Sequence, residues 1–220
     1  MTDLTLVIGN KNYSSWSLRA WLALRHCAVP FNEDHIELDQ IDSASRIRAY
    51  SPAGRVPVLV DKDLTIWDSL AICEYLAERF PDARLWPQEA AARAAARSVS
   101  AEMHAGFTAL RNELPMNIRA SRRVQTSAQA DVDIARVVAI WSSCRVQHGA
   151  RGGWLFGEFS IADAMYTPVV LRLRTYGIDV PGPAAGYMTH VLADAGLREW
   201  IDAALLETAV IEADEAGTSA

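Results

Sequence analysis

Two serines, a tryptophan and a third serine, Ser14-Ser15-Trp16-Ser17, stand directly before the largely apolar stretch 18–24. A hydroxyl placed there has two uses. It can cap a helix by accepting a bond from an early backbone N–H, or it can join the first free N–H groups in holding an anion. Pro57, within Gly54-Arg55-Val56-Pro57-Val58-Leu59, opens a run that reads as a central strand. Proline is normally excluded there because it cannot donate to the ladder. A cis Val56–Pro57 bond would turn the chain sharply and leave the Val56 backbone to pair with an extended peptide; a trans proline at a strand end is the alternative. Asp68-Ser69 precedes a further amphipathic run. The pair either caps that helix, or the helix start and Ser69 take a carboxylate while Asp68 takes a neighbouring ammonium. One amino-acid head group carries both charges.

These places converge only if the chain between them alternates strand and helix. Residues 4–9 form a short β-rich run, and 17–27 read as a helix. Residues 29–38 read as a second strand with Ile36 and Leu38 alternating, and 43–51 as a short, loosely held helix. Runs 56–61 and 64–67, parted by Lys62-Asp63, give a hairpin signal, and 68–80 an amphipathic helix. The resulting β-α-β-α-β-β-α unit over residues 1–80 brings both helix starts and the proline-led strand to one sheet edge. A small peptide with an amino-acid head, an extended backbone and a thiol would touch all three. Residues 81–88, with two prolines and no period, read as a linker. Beyond it the sequence predicts an all-helical domain over 89–207: one long alanine-rich helix at 89–114, then helices at 129–149, 160–177 and 195–207. The polar tail 208–220 reads as disordered.

Composition narrows the function classes. The chain has 220 residues, half of them hydrophobic, and a net charge of −6 without a long basic run. That balance argues against nucleic acid or an anionic membrane surface as partner. No apolar run approaches the roughly 18 residues of a membrane span, and the N-terminus does not read as a secretory signal. Cys27, Cys73 and Cys144 are far apart, which supports neither a metal site nor a disulfide framework. A reducing cytoplasm is the expected compartment.

With these elements in order, the chain resembles a cytosolic glutathione transferase of bacterial type, with a zeta-like serine motif. Ser14-Ser15-Trp16-Ser17 is similar to the Ser-Ser-Cys-Ser signature of the zeta class. Arg55-Val56-Pro57 resembles the family's cis-proline turn, and Asp68-Ser69-Leu70-Ala71-Ile72 its acid-or-glutamine–Ser-x-Ala-Ile stretch. Phe159-Ser160-Ile161-Ala162-Asp163 resembles the capping box that starts the buried helix of the second domain. The resemblance spans about residues 4–206 and implies a thioredoxin-like βαβαββα domain followed by an all-helical one. It implies glutathione as co-substrate, no metal, a small hydrophobic electrophile and a homodimer.

By that resemblance Ser14 contacts the glutathione sulfur, with Ser15 as the other candidate. Val56 and Pro57 bind the cysteinyl backbone, Asp68 and Ser69 the γ-glutamyl head, and Arg55 lies near the glycine carboxylate. Met103, His104, Phe107 and Arg111 fall at helical spacing and, with Trp16, could line an electrophile pocket; core packing is the alternative for each. Ser160 and Asp163 form a capping box with a structural role. Trp16 stands where the zeta pattern has cysteine, and Thr175 where it has a substrate arginine, with Arg172 and Arg174 expected to face elsewhere. Both departures weigh against a maleylacetoacetate isomerase activity, which stays an alternative beside a non-catalytic glutathione-binding module.

Overall fold

The structure, a computed structural model, describes residues 4–219. Its first part runs β1 (Leu4–Ile8), α1 (Ser15–His26), β2 (Asn32–His35), α2 (Ser43–Tyr50), β3 (Val58–Asp61), β4 (Leu64–Trp67) and α3 (Ser69–Arg79). The sheet order is β2-β1-β3-β4, with β2 parallel and β3 antiparallel to β1, and β4 antiparallel to β3. Side chains alternate across a strand, and β1 uses both faces. Leu6 and Ile8 enter the main core with Leu18 and Leu22 of α1 and Ile72 and Leu76 of α3. Val7 joins Val58, Ile36 and Ile47 of α2 on the other face. Helices therefore cover the sheet on both sides.

The second part is helical: α4 (Ala90–Ala105), α5 (Thr108–Glu113), the two-residue strand β5 (Arg122–Arg123), α6 (Ala128–His148), α7 (Ile161–Thr175), α8 (Gly182–Leu192) and α9 (Ala195–Leu206). The two-residue strand β6 (Thr218–Ser219) pairs antiparallel with β5. Helix α7 is buried along its length except at Arg174. Its start is the expected capping box: Asp163 Oδ2 accepts from the Ser160 backbone N–H and hydroxyl, both at 2.9 Å, and Oδ1 accepts from the Leu155 N–H at 2.9 Å. The main core is continuous from β1 to α9, and Trp21 of α1 meets Trp200 of α9 edge-on at 5.3 Å. Helix α1 is thus the shared wall between the sheet and the helical part.

Four expectations need correction. The helix foreseen at 89–114 is two helices, because Phe107 turns left-handed at φ 56° after Gly106. A Cβ on Gly106 would lie 2.8 Å from the Glu102 carbonyl oxygen. Helix α8 was hidden by Pro181, Gly182 and Pro183, residues that suit a helix start as well as a loop. The tail read as disordered is packed over its described residues 208–219. Ile211 is buried, and the Glu215 carboxylate accepts from Tyr13 and Asn117 at 2.7 and 2.8 Å and pairs with Arg122. Its polar side chains read as solvated because their partners lie far away in sequence. The second strand is also shorter than the 29–38 run.

Candidate active site

The two helix starts and the proline turn do meet. They wall a cleft of about 490 Å³ with Trp16 on one side, Arg55, Val56 and Pro57 on a second, and Asp68 and Ser69 on a third; His104, from the end of α4, closes it. The Val56–Pro57 peptide is cis and Val56 precedes β3, outside its ladder. Asp68 caps α3 at φ 74°, its Oδ1 accepting from the Leu70 and Ala71 N–H groups at 2.9 and 3.2 Å. Its other oxygen lies 3.1 Å from His104 Nε2. Burial, opposed by the Asp68 charge, lowers the His104 pKa below its ordinary 6.5. The ring is then neutral at pH 7 and donates to Asp68 from Nε2, so its buried and unpartnered Nδ1 is an acceptor. The Ser69 hydroxyl is also buried without a partner. A second depression of about 500 Å³, around His26, Arg84 and Glu158, brings together none of the predicted residues.

The serines sit just behind this wall. Ser14 is buried and caps α1; its hydroxyl donates to Ser17 Oγ at 2.7 Å and accepts from the Ser17 N–H at 3.4 Å. Ser17 Oγ in turn accepts from the Gly9 N–H at 3.1 Å, which ties the helix start to the end of β1. Ser15 is buried as well, and its Oγ accepts from Arg172 Nη2 at 3.1 Å. Trp16 is the residue of this motif that reaches the cleft, and it packs edge-on against His104 at 5.2 Å.

Of the four residues placed on one helical face, only His104 lines the cleft. Met103 and Phe107 are core residues, and the break at Gly106 carries Phe107 and Arg111 onto a different path. Arg111 nevertheless approaches: its guanidinium lies 5.4 Å from the Trp16 ring centre, and that of Arg19 lies 4.2 Å from it. Trp16 is held by two cations, each such contact worth about 0.5–2 kcal/mol.

Arg19 and Arg172 are the residues that the sequence reading missed. Arg172, expected to face elsewhere, reaches α1 from α7. Both are buried, and burial with nearby positive charge pulls Arg19 down to about 9 and Arg172 to about 10, so both remain cationic at neutral pH. Neither they nor Arg111 makes an ion pair among the described residues, and Arg19 Nε and Nη1 have no hydrogen-bond partner. A buried charge without a counter-ion is unfavourable. Two of them near one helix start, with the half-buried Arg111, produce a positive field that an anion relieves. An arginine in the otherwise apolar run 18–24 was the available signal.

The sequence profile of the glutathione S-transferase N-terminal domain matches residues 13–79, the segment that carries most of the cleft wall. A protein of Caenorhabditis elegans named probable maleylacetoacetate isomerase is 28% identical over 183 residues, 82% of this chain and 84% of its own. A stringent starvation protein A homolog of Haemophilus ducreyi is 23% identical over 180 residues, 80% of each chain. The crystal structure of a glutathione transferase homolog from Burkholderia, with bound glutathione, superposes with a TM-score of 0.69 at 21% identity, covering 93% of this chain and 98% of that one. Among the described residues no cluster of three or more His, Cys, Asp or Glu could hold a metal, and no helix is long and apolar enough to cross a membrane. The chain shares the glutathione transferase fold, a thioredoxin-like domain followed by a helical domain, and its residues 13–79 match the glutathione S-transferase N-terminal domain.

Proposed function

We propose that this protein conjugates the thiolate of glutathione to a small hydrophobic electrophile. The observation that carries this reading is the buried Ser69 hydroxyl, unpartnered beside the Asp68 carboxylate in a cleft that Val56 also lines. The γ-glutamyl head presents a carboxylate to Ser69 and the α3 N-terminus, and an ammonium to Asp68. The Val56 backbone pairs with the cysteinyl residue, and Arg55 faces the glycine carboxylate. In this pose the thiol points toward the start of α1 and its serines, with the electrophile on the Trp16 and His104 side.

A free thiol of pKa about 8.5 is about 3% ionised at pH 7. A serine hydroxyl cannot remove the proton at that pH, but it can donate a hydrogen bond to the thiolate left once water takes it. A helix N-terminus and nearby cations lower thiol pKa values further. A two-unit decrease makes about three-quarters of the bound thiol anionic, a gain of about 25-fold in nucleophile. The sulfur then bonds to the electrophilic carbon while the leaving group departs with its electron pair. The domain division at residues 80 and 89, the cytoplasmic location and the homodimer belong to the same proposal. Leu64 and Trp67, exposed on edge strand β4, are compatible with a second copy.

Retention on immobilised glutathione followed by turnover of an aryl halide panel tests the reading. Retention with turnover supports it; no retention sinks it; retention without turnover favours a binding module. A second reading, glutathione-dependent isomerisation of a carboxylated substrate, draws support from the unpaired charge of Arg19 and Arg111 beside Trp16. Isomerisation of such a substrate with no aryl halide turnover would select it.

A further inference from the structure

Ser14 and Ser15 differ in what is left for a ligand. A serine hydroxyl has one proton to donate and two lone pairs. The proton of Ser14 goes to Ser17 Oγ at 2.7 Å, which closes a chain that runs on to the Gly9 N–H. Ser15 Oγ is an acceptor, bonded by Arg172 Nη2 at 3.1 Å, and its own proton goes to no described group. Arg172 comes from α7, 157 positions later in the chain. Its guanidinium is fixed in place by the carbonyls of Arg111, at 3.0 Å, and Leu114. No carboxylate forms a contact ion pair with it among the described residues, Asp214 acting on it only from farther off, and its Nη2 donates to the serine.

We propose that Arg172 is a positioning residue that selects Ser15, not Ser14, as the hydroxyl that holds the thiolate. A guanidinium on one lone pair withdraws electron density from the oxygen and makes the remaining O–H a stronger donor. It also fixes the rotor, so that the proton points away from Arg172. The helical domain thereby supplies part of the activation to a motif on the thioredoxin-like domain, and the two halves make one thiol site. This rests on the reading of the cleft as a glutathione site.

The test is a double-mutant cycle read on the pKa of bound glutathione, followed by ultraviolet absorbance of the thiolate. Ser15→Ala should raise that pKa by about one unit, a tenfold loss of thiolate at lower pH. Arg172→Met should raise it in wild type and add nothing in the Ser15→Ala background, because its effect passes through that hydroxyl. Arg172→Lys should fall between wild type and Arg172→Met, and it carries the test if Arg172→Met does not fold. Equal shifts from the Arg172 substitution with and without Ser15 would mean a through-space field and overturn the proposal. So would a shift in Ser14→Ala with none in Ser15→Ala. A wild-type protein that binds no glutathione, or binds it with an unshifted thiol, would instead remove the functional reading beneath the proposal.

Discussion

Ser14 and Ser15 are neighbours in sequence with opposite commitments, which on the proposed function separates capping from chemistry. Ser14 caps α1 through a 3.4 Å bond from Ser17 and gives its proton to the same residue. Ser14→Ala should therefore lower stability by about 0.5–2 kcal/mol in a urea titration while leaving the bound thiol pKa near the wild-type value. A stable Ser14→Ala protein with a raised thiol pKa would contradict this division. Asp68 has both duties at once, since one oxygen caps α3 and the other faces His104. Asp68→Ala should lose retention on a glutathione column and about 0.5–2 kcal/mol of stability together. Wild-type retention in that variant would free Asp68 of a ligand role. The sequence made Ser14, Asp68, Ser69 and Pro57 legible because a hydroxyl or carboxylate before an apolar run marks a helix start, and a proline in a central strand is unusual. Nothing local indicated which serine had a spare proton, because that is decided by Ser17 on one side and Arg172 on the other.

The elements were most readable where one short-range pattern sufficed. The β-rich apolar run of β1 and the amphipathic period of α3 depend on near neighbours, and both elements appear where they were expected. The helix from 89 to 114 failed because alanine propensity says nothing of a left-handed residue at Phe107 that redirects the chain. Helix α8 failed for the opposite reason, being rich in glycine and proline yet held by the burial of Ala184, Tyr187 and Val191. The capping box of α7 was legible because serine and aspartate stand three apart before a buried run. Burial, opposed by the bonds from Leu155 and Ser160, pushes the Asp163 carboxyl up to about 6 from an ordinary 3.8. The folded protein thus holds a proton that the unfolded chain has released between those values. The stability this group contributes is fully present below its unfolded pKa and is lost as pH rises through about 6. Denaturation of wild type and Asp163→Asn in parallel should show a larger advantage for wild type at about pH 5 than at about pH 7. An advantage that shrinks on acidification would reverse the sign assigned to this carboxyl.

Over the whole molecule, the two halves are joined by contacts that no window of sequence could reveal. Glu207, just past α9, accepts from the Lys11 and Asn12 backbone N–H groups at 2.7 and 2.9 Å. Arg119 bonds the Glu207 and Ala209 carbonyls and the Tyr13 hydroxyl, and Asn12 Oδ1 accepts from the Arg119 N–H at 2.9 Å. The loop that leads into the serines is thus clamped by the far end of the chain. Glu207→Ala leaves two backbone donors without their acceptor and should lower stability by about 1–3 kcal/mol. Hydrogen exchange should show the 11–13 amides losing more protection than those of β1. Equal loss in both places would mean global destabilisation and no specific clamp.

That clamp also fixes an order in time. Lys11 is made before Glu207, and the carboxylate that receives its N–H follows 196 residues later. At about 5–20 residues per second, the sheet and its helices have seconds in which to form before Glu207 is synthesised. A nascent chain arrested before α9 should therefore carry a protected β1 beside a protease-sensitive loop at residues 10–14. Releasing the remainder of the chain should close that loop within the same molecule. On the proposed function, the cleft is then finished only when synthesis has passed α9, so a partly made chain holds the thioredoxin-like fold before it can act on glutathione.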